Sequence, residues 1–330
     1  MSKLRLSIAM GNYDRTRALV DGEVSIEGTN PIYLMLSPEE MFFRSFRDVA
    51  FDVSELSLSS FALKTADGSN PYVGIPVFPS RAFRHASIHV RSDRGIDRPA
   101  DLKGRRIGTP EYQLTANVWA RAILQDEYGV KPSDVIWVRG GMEHPGRREK
   151  ISLQTPAEIH IEEAPQDATL SQMLERGDID GLIGPRAPSC FERAHPQVRW
   201  LFADPARAAA EYFRRTRIFP IMHVLGIRRD LADQHPWLPM ALHKAFTAAK
   251  DIAMARLTDT SATKVALPFV EEQLRAARAL MGLDFWSYGA APNRHVLDTF
   301  LHHHHSQGLS TRRLKVEELF HPSTLESYKI

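Results

Sequence analysis

One cysteine in 330 residues, Cys190, excludes an internal disulfide. An oxidising compartment is therefore not implied, and a thiol with no base near it in sequence makes a poor nucleophile. No run approaches the ~20 apolar residues of a membrane span. The first twenty residues alternate polar and apolar side chains and end in charge, which does not read as an export signal. Excess charge of one sign is lacking as well: 42 Lys and Arg face 40 Asp and Glu, a net +2. Neither nucleic acid nor a membrane surface is expected as a partner. Gly140-Gly141 lacks the Walker lysine pattern, and Ser57, Ser59 and Ser60 lack a nucleophile elbow. These absences leave a soluble cytoplasmic protein as the expectation, with a homo-oligomer allowed.

What is present is ordinary globular composition, 43% hydrophobic and 25% charged. At ~100–200 residues per domain, two domains are expected. Strand patterns fall over 3–10, 31–36, 50–53, 72–78, 87–91, 105–108, 135–138, 180–183 and 219–227. Residues 11–14 read as a polar turn, 54–64 as a small helix and 140–148 as a polar loop. Further helical patterns fall over 168–176, 236–255, 268–281, 293–308 and 312–320. Strands alternating with helices argue for α/β architecture with a largely parallel sheet.

The stretch 99–129 is the most informative. A short strand runs into Thr109-Pro110, where Thr109 suits an N-cap and Pro110 the first helical position, and Gly129 suits the stop. Such a junction aims unpaired backbone N–H groups and a positive dipole end at one spot, a cradle for a carboxylate. Glu111, at the second helical position, would stabilise the dipole but repel an anion held there. It is either a plain helix-start acid or a group that works on a hydroxyl. Tyr112 either packs or stacks on an aromatic ligand.

Several pieces taken together carry a resemblance. "DLKGRRIGTPEY" looks like the second-lobe entry of type 2 periplasmic-binding-protein folds. The wider set is "YDRT" (13–16), "ELSLSS" (55–60), "PVFPSRAFRH" (76–85), "PEYQLTANVWARAILQDEYGV" (110–130), "GLIGPRAPS" (181–189) and "FPIMH" (219–223). It resembles the 4,5-dihydroxyphthalate decarboxylase family over essentially the whole chain. The resemblance implies a two-lobed α/β fold with an interlobe cleft. Lobe 1 would comprise 1–85 and 220–330, lobe 2 would comprise 86–219, and the crossings would act as hinges.

It also implies a non-oxidative decarboxylation of a dihydroxylated aromatic diacid. Such chemistry needs cations for the carboxylates, a base near a ring hydroxyl and a proton donor near the ring face. No cofactor and no metal are required. A non-catalytic binding protein or sensor for an aromatic mono- or dicarboxylate is the alternative on the same fold. The candidate acid–base pool is Asp14, Glu55, His85, Glu111 and His223. Histidine suits it because an unperturbed pKa of ~6.5 exchanges protons near neutrality. Arg15, Arg81, Arg84, Thr109, Tyr112 and Arg186 are the candidate substrate-binding residues, arginine because its planar fork grips a carboxylate. Against these stand bland readings: interdomain salt bridges for Arg81 and Arg84, hydrogen-bonded core histidines for His85 and His223, a turn cap for Asp14 with Arg15 as its partner. The run His302–His305 places two histidines at i, i+3, a spacing that could hold a metal but reads better as a helix face.

Overall fold

From Leu4 to Met10 the inward positions are apolar, and by Ile8 both faces are covered, the mark of a strand inside an α/β sheet. The computed structural model describes residues 3–147, 149, 151, 153 and 155–325. In chain order its strands are β1 (Leu4–Met10), β2 (Thr29–Met35), β3 (Val53–Ser57), β4 (Tyr72–Ile75), β5 (Ile88–Arg91), β6 (Arg106–Thr109), β7 (Ile136–Arg139), β8 (Ile161–Glu163), β9 (Gly181–Ile183), β10 (Val198–Trp200) and β11 (His223–Arg228).

The chain divides into two units. The first comprises Met1–Arg81, Ile221–Asp298 and Leu314–Ile330. Its sheet runs β2-β1-β3-β11-β4. β1 pairs parallel with β2 and β3, whereas β11 runs antiparallel between β3 and β4. Helix Asp14–Val20 packs against the long helix Leu238–Leu257 on this sheet. Ala9, Met41, Phe42 and Phe51 form one buried cluster. Gly74 on β4 is close to the C-terminal segment: a Cβ there would lie 2.5 Å from the Leu319 carbonyl oxygen.

The second unit comprises Ala82–Pro220 and Thr299–Arg313. Its sheet runs β10-β5-β9-β6-β7-β8. Val138, Leu170, Met173, Leu174, Ile179, Leu182 and Cys190 pack beneath it. The sequence reading put 299–313 in the first lobe, and the structure corrects this. The reason is side-chain complementarity: Phe300 packs on Trp119, Gln307 accepts from Arg121 Nε at 2.8 Å, and His303 Nε2 meets Asp126 at 2.7 Å.

Two further corrections bear on the site. Residues 54–57 are strand, because β3 is hydrogen-bonded to β1 on one side and β11 on the other. A helix follows only from Leu58 to Ala66. Tertiary pairing overrides the local helical pattern. Likewise Asp14 opens a helix, Asp14–Val20, rather than closing a turn. At the far end, 312–320 holds only a short 3₁₀ turn, Val316–Leu319. Among the described residues no helix is long and apolar enough to cross a membrane.

Candidate active site

The sheet of the first unit ends in a buried polar cluster. β1 runs out at Met10, so Gly11 and Tyr13 lie just past its carboxyl end. β3 carries Glu55 at its centre, and β11 begins at His223, opposite Ser57. Carboxyl ends of parallel strands are where α/β sheets present their ligand sites.

Glu55 is fully buried. A carboxylate in that setting must be satisfied on both oxygens. Oε2 accepts the Gly11 amide at 2.9 Å. Oε1 accepts the Tyr13 hydroxyl at 2.9 Å and lies 2.5 Å from His223 Nδ1. Burial alone would raise the carboxyl, but the His223 hydrogen bond and charge, the Gly11 amide and the Tyr13 hydroxyl hold it below the ordinary range. An ionised Glu55 accepts from Nδ1 and so fixes that nitrogen as the protonated one, leaving Nε2 as the nitrogen that can exchange a proton. Phe42 meets the imidazole edge-on at 4.9 Å and fixes its plane. Burial and the Glu55 charge raise the Tyr13 phenol, so it stays a neutral donor.

Arg15 lies beside this dyad, largely buried. Its guanidinium stacks 4.1 Å from the Tyr13 ring centroid and 4.4 Å from that of Trp286. Nε donates to the Pro79 carbonyl at 2.5 Å, and Nη1 meets Asp14 at 3.1 Å. Asp14 is half exposed and serves as that partner. Arg81 is buried and donates to the Ser287 carbonyl at 2.7 Å and to Asn293 Oδ1. Burial draws its pKa down to about 10, still a cation at neutrality. Asp14, Arg15, Glu55, Arg81 and His223 thus belong to one unit. Sequence reasoning missed Tyr13, Trp286 and Asn293. Tyr13 stood inside the "YDRT" motif, but nothing local marks 286–293, which only the tertiary fold brings to the strand ends.

The remaining candidates lie in the second unit. His85 is buried against Phe202 and Tyr212, with centroids at 5.1 and 5.5 Å, and among the described residues neither ring nitrogen has a partner. Burial, then the Arg215 charge, push it down to about 4, so it is neutral near pH 7. Burial lowers its neighbour Arg84 to about 10. Arg186 is exposed on the loop after β9.

The expected helix start at Thr109 is displaced. Thr109 is the last residue of β6, paired with Arg139, and its carbonyl accepts the Gly140 amide at 3.3 Å. The helix begins at Thr115, with Leu114 as a cap that makes no side-chain bond. The ladder holds Thr109 extended, and the chain needs residues 110–114 to turn. The Thr109 hydroxyl accepts from Asn117 Nδ2 at 2.7 Å. Glu111 consequently sits off the helix dipole, buried and paired with Arg147 at 2.6 Å. Tyr112 is buried under Arg121 at 3.8 Å and against the edge of Trp137. Its amide donates to Glu149 at 2.5 Å, and burial pushes that carboxyl up to about 7. A cavity of about 800 Å³ opens there, lined by Arg139, Arg147, Glu149 and Glu163 among others.

In the histidine run, His303 and His304 are buried and His305 Nδ1 lies 3.0 Å from the Ser310 carbonyl, which gives the run a packing role. Among the described residues no group of three or more His, Cys, Asp or Glu is arranged to hold a metal.

Comparison with known proteins places these features in a family. The NMT1/THI5 like family model matches residues 83–149. A 4,5-dihydroxyphthalate decarboxylase of Comamonas testosteroni is 63% identical over 330 residues, covering all of both chains. One from Pseudomonas putida is 59% identical over 214 residues, 65% of this chain and 83% of its own. Among solved structures, the periplasmic aliphatic sulphonate binding protein SsuA from Escherichia coli aligns with a TM-score of 0.53 at 13% identity, covering 100% of this chain and 96% of its own. At that identity the likeness concerns fold alone, a periplasmic-binding-protein-like α/β fold. The full-length relative decides the rest: this chain belongs to the 4,5-dihydroxyphthalate decarboxylase family.

Proposed function

We propose that this chain is a carboxy-lyase that converts 4,5-dihydroxyphthalate to 3,4-dihydroxybenzoate and CO₂, with the cytoplasm as its compartment. The observation that carries the catalytic assignment is the Glu55–His223 pair at the strand ends of the first unit, with Arg15 beside it.

Direct loss of CO₂ from the ring would leave an unstabilised aryl anion. Each hydroxyl of the diacid is para to one carboxylate, which opens an easier route. His223 Nε2 takes the proton of that hydroxyl, and electron density moves to the ipso carbon. Protonation of the ipso carbon gives a dienone, which loses CO₂ and returns its electron pair to the oxygen. His223 then gives the proton back to that oxygen. The proton left on the ring comes from solvent, since the overall reaction consumes one. Glu55 stabilises the imidazolium formed on the way and keeps the ring in the productive tautomer. Arg15, stacked between two rings, is the carboxylate ligand this reading favours. Arg81, held by Ser287 and Asn293, anchors the 286–293 loop behind it.

The test is CO₂ release from the diacid by the purified protein in D₂O. The product should carry one deuterium at the carbon that lost the carboxylate. Replacement His223→Asn should lower kcat by roughly 10²–10⁴-fold. Absence of turnover, or a variant within threefold of the parent, would overturn the assignment.

A further inference from the structure

Tyr288 is buried, yet among the described residues its hydroxyl has no hydrogen-bond partner. Such hydroxyls are rare in folded proteins, because desolvating one without pairing it is costly. The surrounding loop is pinned. Trp286 Nε1 donates to the Phe78 carbonyl at 3.0 Å, the Ser287 carbonyl accepts from Arg81 at 2.7 Å, and the Gly289 amide donates to the Pro76 carbonyl at 2.7 Å. Gly289 makes the turn at φ +94°, a conformation other residues rarely take. The Tyr288 ring meets Phe78 edge-on at 6.5 Å, and the Lys250 ammonium lies 5.4 Å from its centroid. Lys250 is itself satisfied by Asp251 at 3.0 Å and Asp284 at 3.2 Å, so it leaves the phenol oxygen alone.

The hydroxyl lies within the fields of Arg15, Arg81, Glu55 and Asp14, and burial above all keeps it protonated. The two acids are already matched: Glu55 by His223, Gly11 and Tyr13, Asp14 by Arg15. What remains is a fixed O–H donor in the neighbourhood of two cations, a setting that suits an anionic acceptor.

We propose that Tyr288 is a substrate-binding residue whose hydroxyl donates to a carboxylate of the aromatic diacid. The identity of that ligand rests on the decarboxylase reading, whereas the binding role does not require turnover. Phthalate, which has the two carboxylates and no hydroxyls, is the probe. Replacement Tyr288→Phe removes one oxygen and keeps the ring. The variant should bind phthalate about tenfold or more weakly by calorimetry, with the Tm of the free protein unchanged or raised, since an unpaired hydroxyl has been removed. A phthalate Kd within twofold of the parent overturns the proposal, as does a parent that fails to bind phthalate. So does a weakened Kd accompanied by a lowered Tm, which marks a structural role. CO₂ release by the parent is measured separately: binding without turnover refutes the decarboxylase reading and still leaves Tyr288 to be judged on the phthalate comparison.

Discussion

His223 Nδ1 and Glu55 Oε1 lie 2.5 Å apart, across the junction where β11 enters the sheet beside β3. Some 168 residues of chain separate them. The carboxylate is fully buried, while the imidazole keeps 15% of its side-chain surface exposed. A hidden acid behind a reachable base is the arrangement that general base catalysis requires.

Replacement Glu55→Gln keeps the shape and removes the charge. The neutral amide no longer selects the tautomer with a basic Nε2, and it does not stabilise the imidazolium. A loss of kcat of at least about 100-fold is expected, with phthalate binding little changed. Steady-state CO₂ release set against calorimetry separates the two. The truncation Glu55→Ala should instead destabilise the fold by roughly 3–5 kcal/mol, because partners of the lost carboxylate are left unpaired. Urea unfolding measures it.

Gly11 is required by its neighbour. A Cβ there would lie 2.2 Å from Tyr13 Cζ, so Gly11→Ala must push the phenol off Glu55. Activity should fall about tenfold or more while the far-ultraviolet circular dichroism stays that of the parent. An unimpaired Gly11→Ala enzyme would show that the Tyr13–Glu55 bond has no part in catalysis.

Arg15→Lys keeps the charge but loses the planar fork and the stack between Tyr13 and Trp286. KM for the diacid should rise about tenfold, with a smaller change in kcat. An unaltered KM would move the carboxylate site elsewhere.

Acid should weaken the second unit through two buried histidines. Burial draws both His85 and His89 down to about 4 in the folded chain. Unfolded, each titrates near ~6.5, so between those values the unfolded chain binds more protons and stability falls as pH falls. The loss approaches about 3 kcal/mol per histidine at the bottom of that window. His85→Phe should flatten the Tm-against-pH curve between pH 6.5 and 4, and an unchanged slope would be the contrary result.

The sequence by itself determined the α/β class and the family motifs, and it named five residues that the first unit holds together, Asp14, Arg15, Glu55, Arg81 and His223. Those features are local: alternating apolar positions, caps and short runs of chemistry-bearing side chains. Thr109-Pro110 shows the limit of local reading. Both residues suit a helix start, yet the ladder with Arg139 keeps Thr109 extended and delays the helix to Thr115. Glu55 shows it again, drawn into strand by neighbours on both sides of the sheet. The tertiary structure alone decided that Glu55 belongs with His223 and Tyr13, that Glu111 belongs with Arg147, and that the 286–293 loop returns to the first unit's strand ends. A sequence pattern encodes which face of an element is buried. Which distant element fills the space against that face depends on pairing and packing across the whole chain.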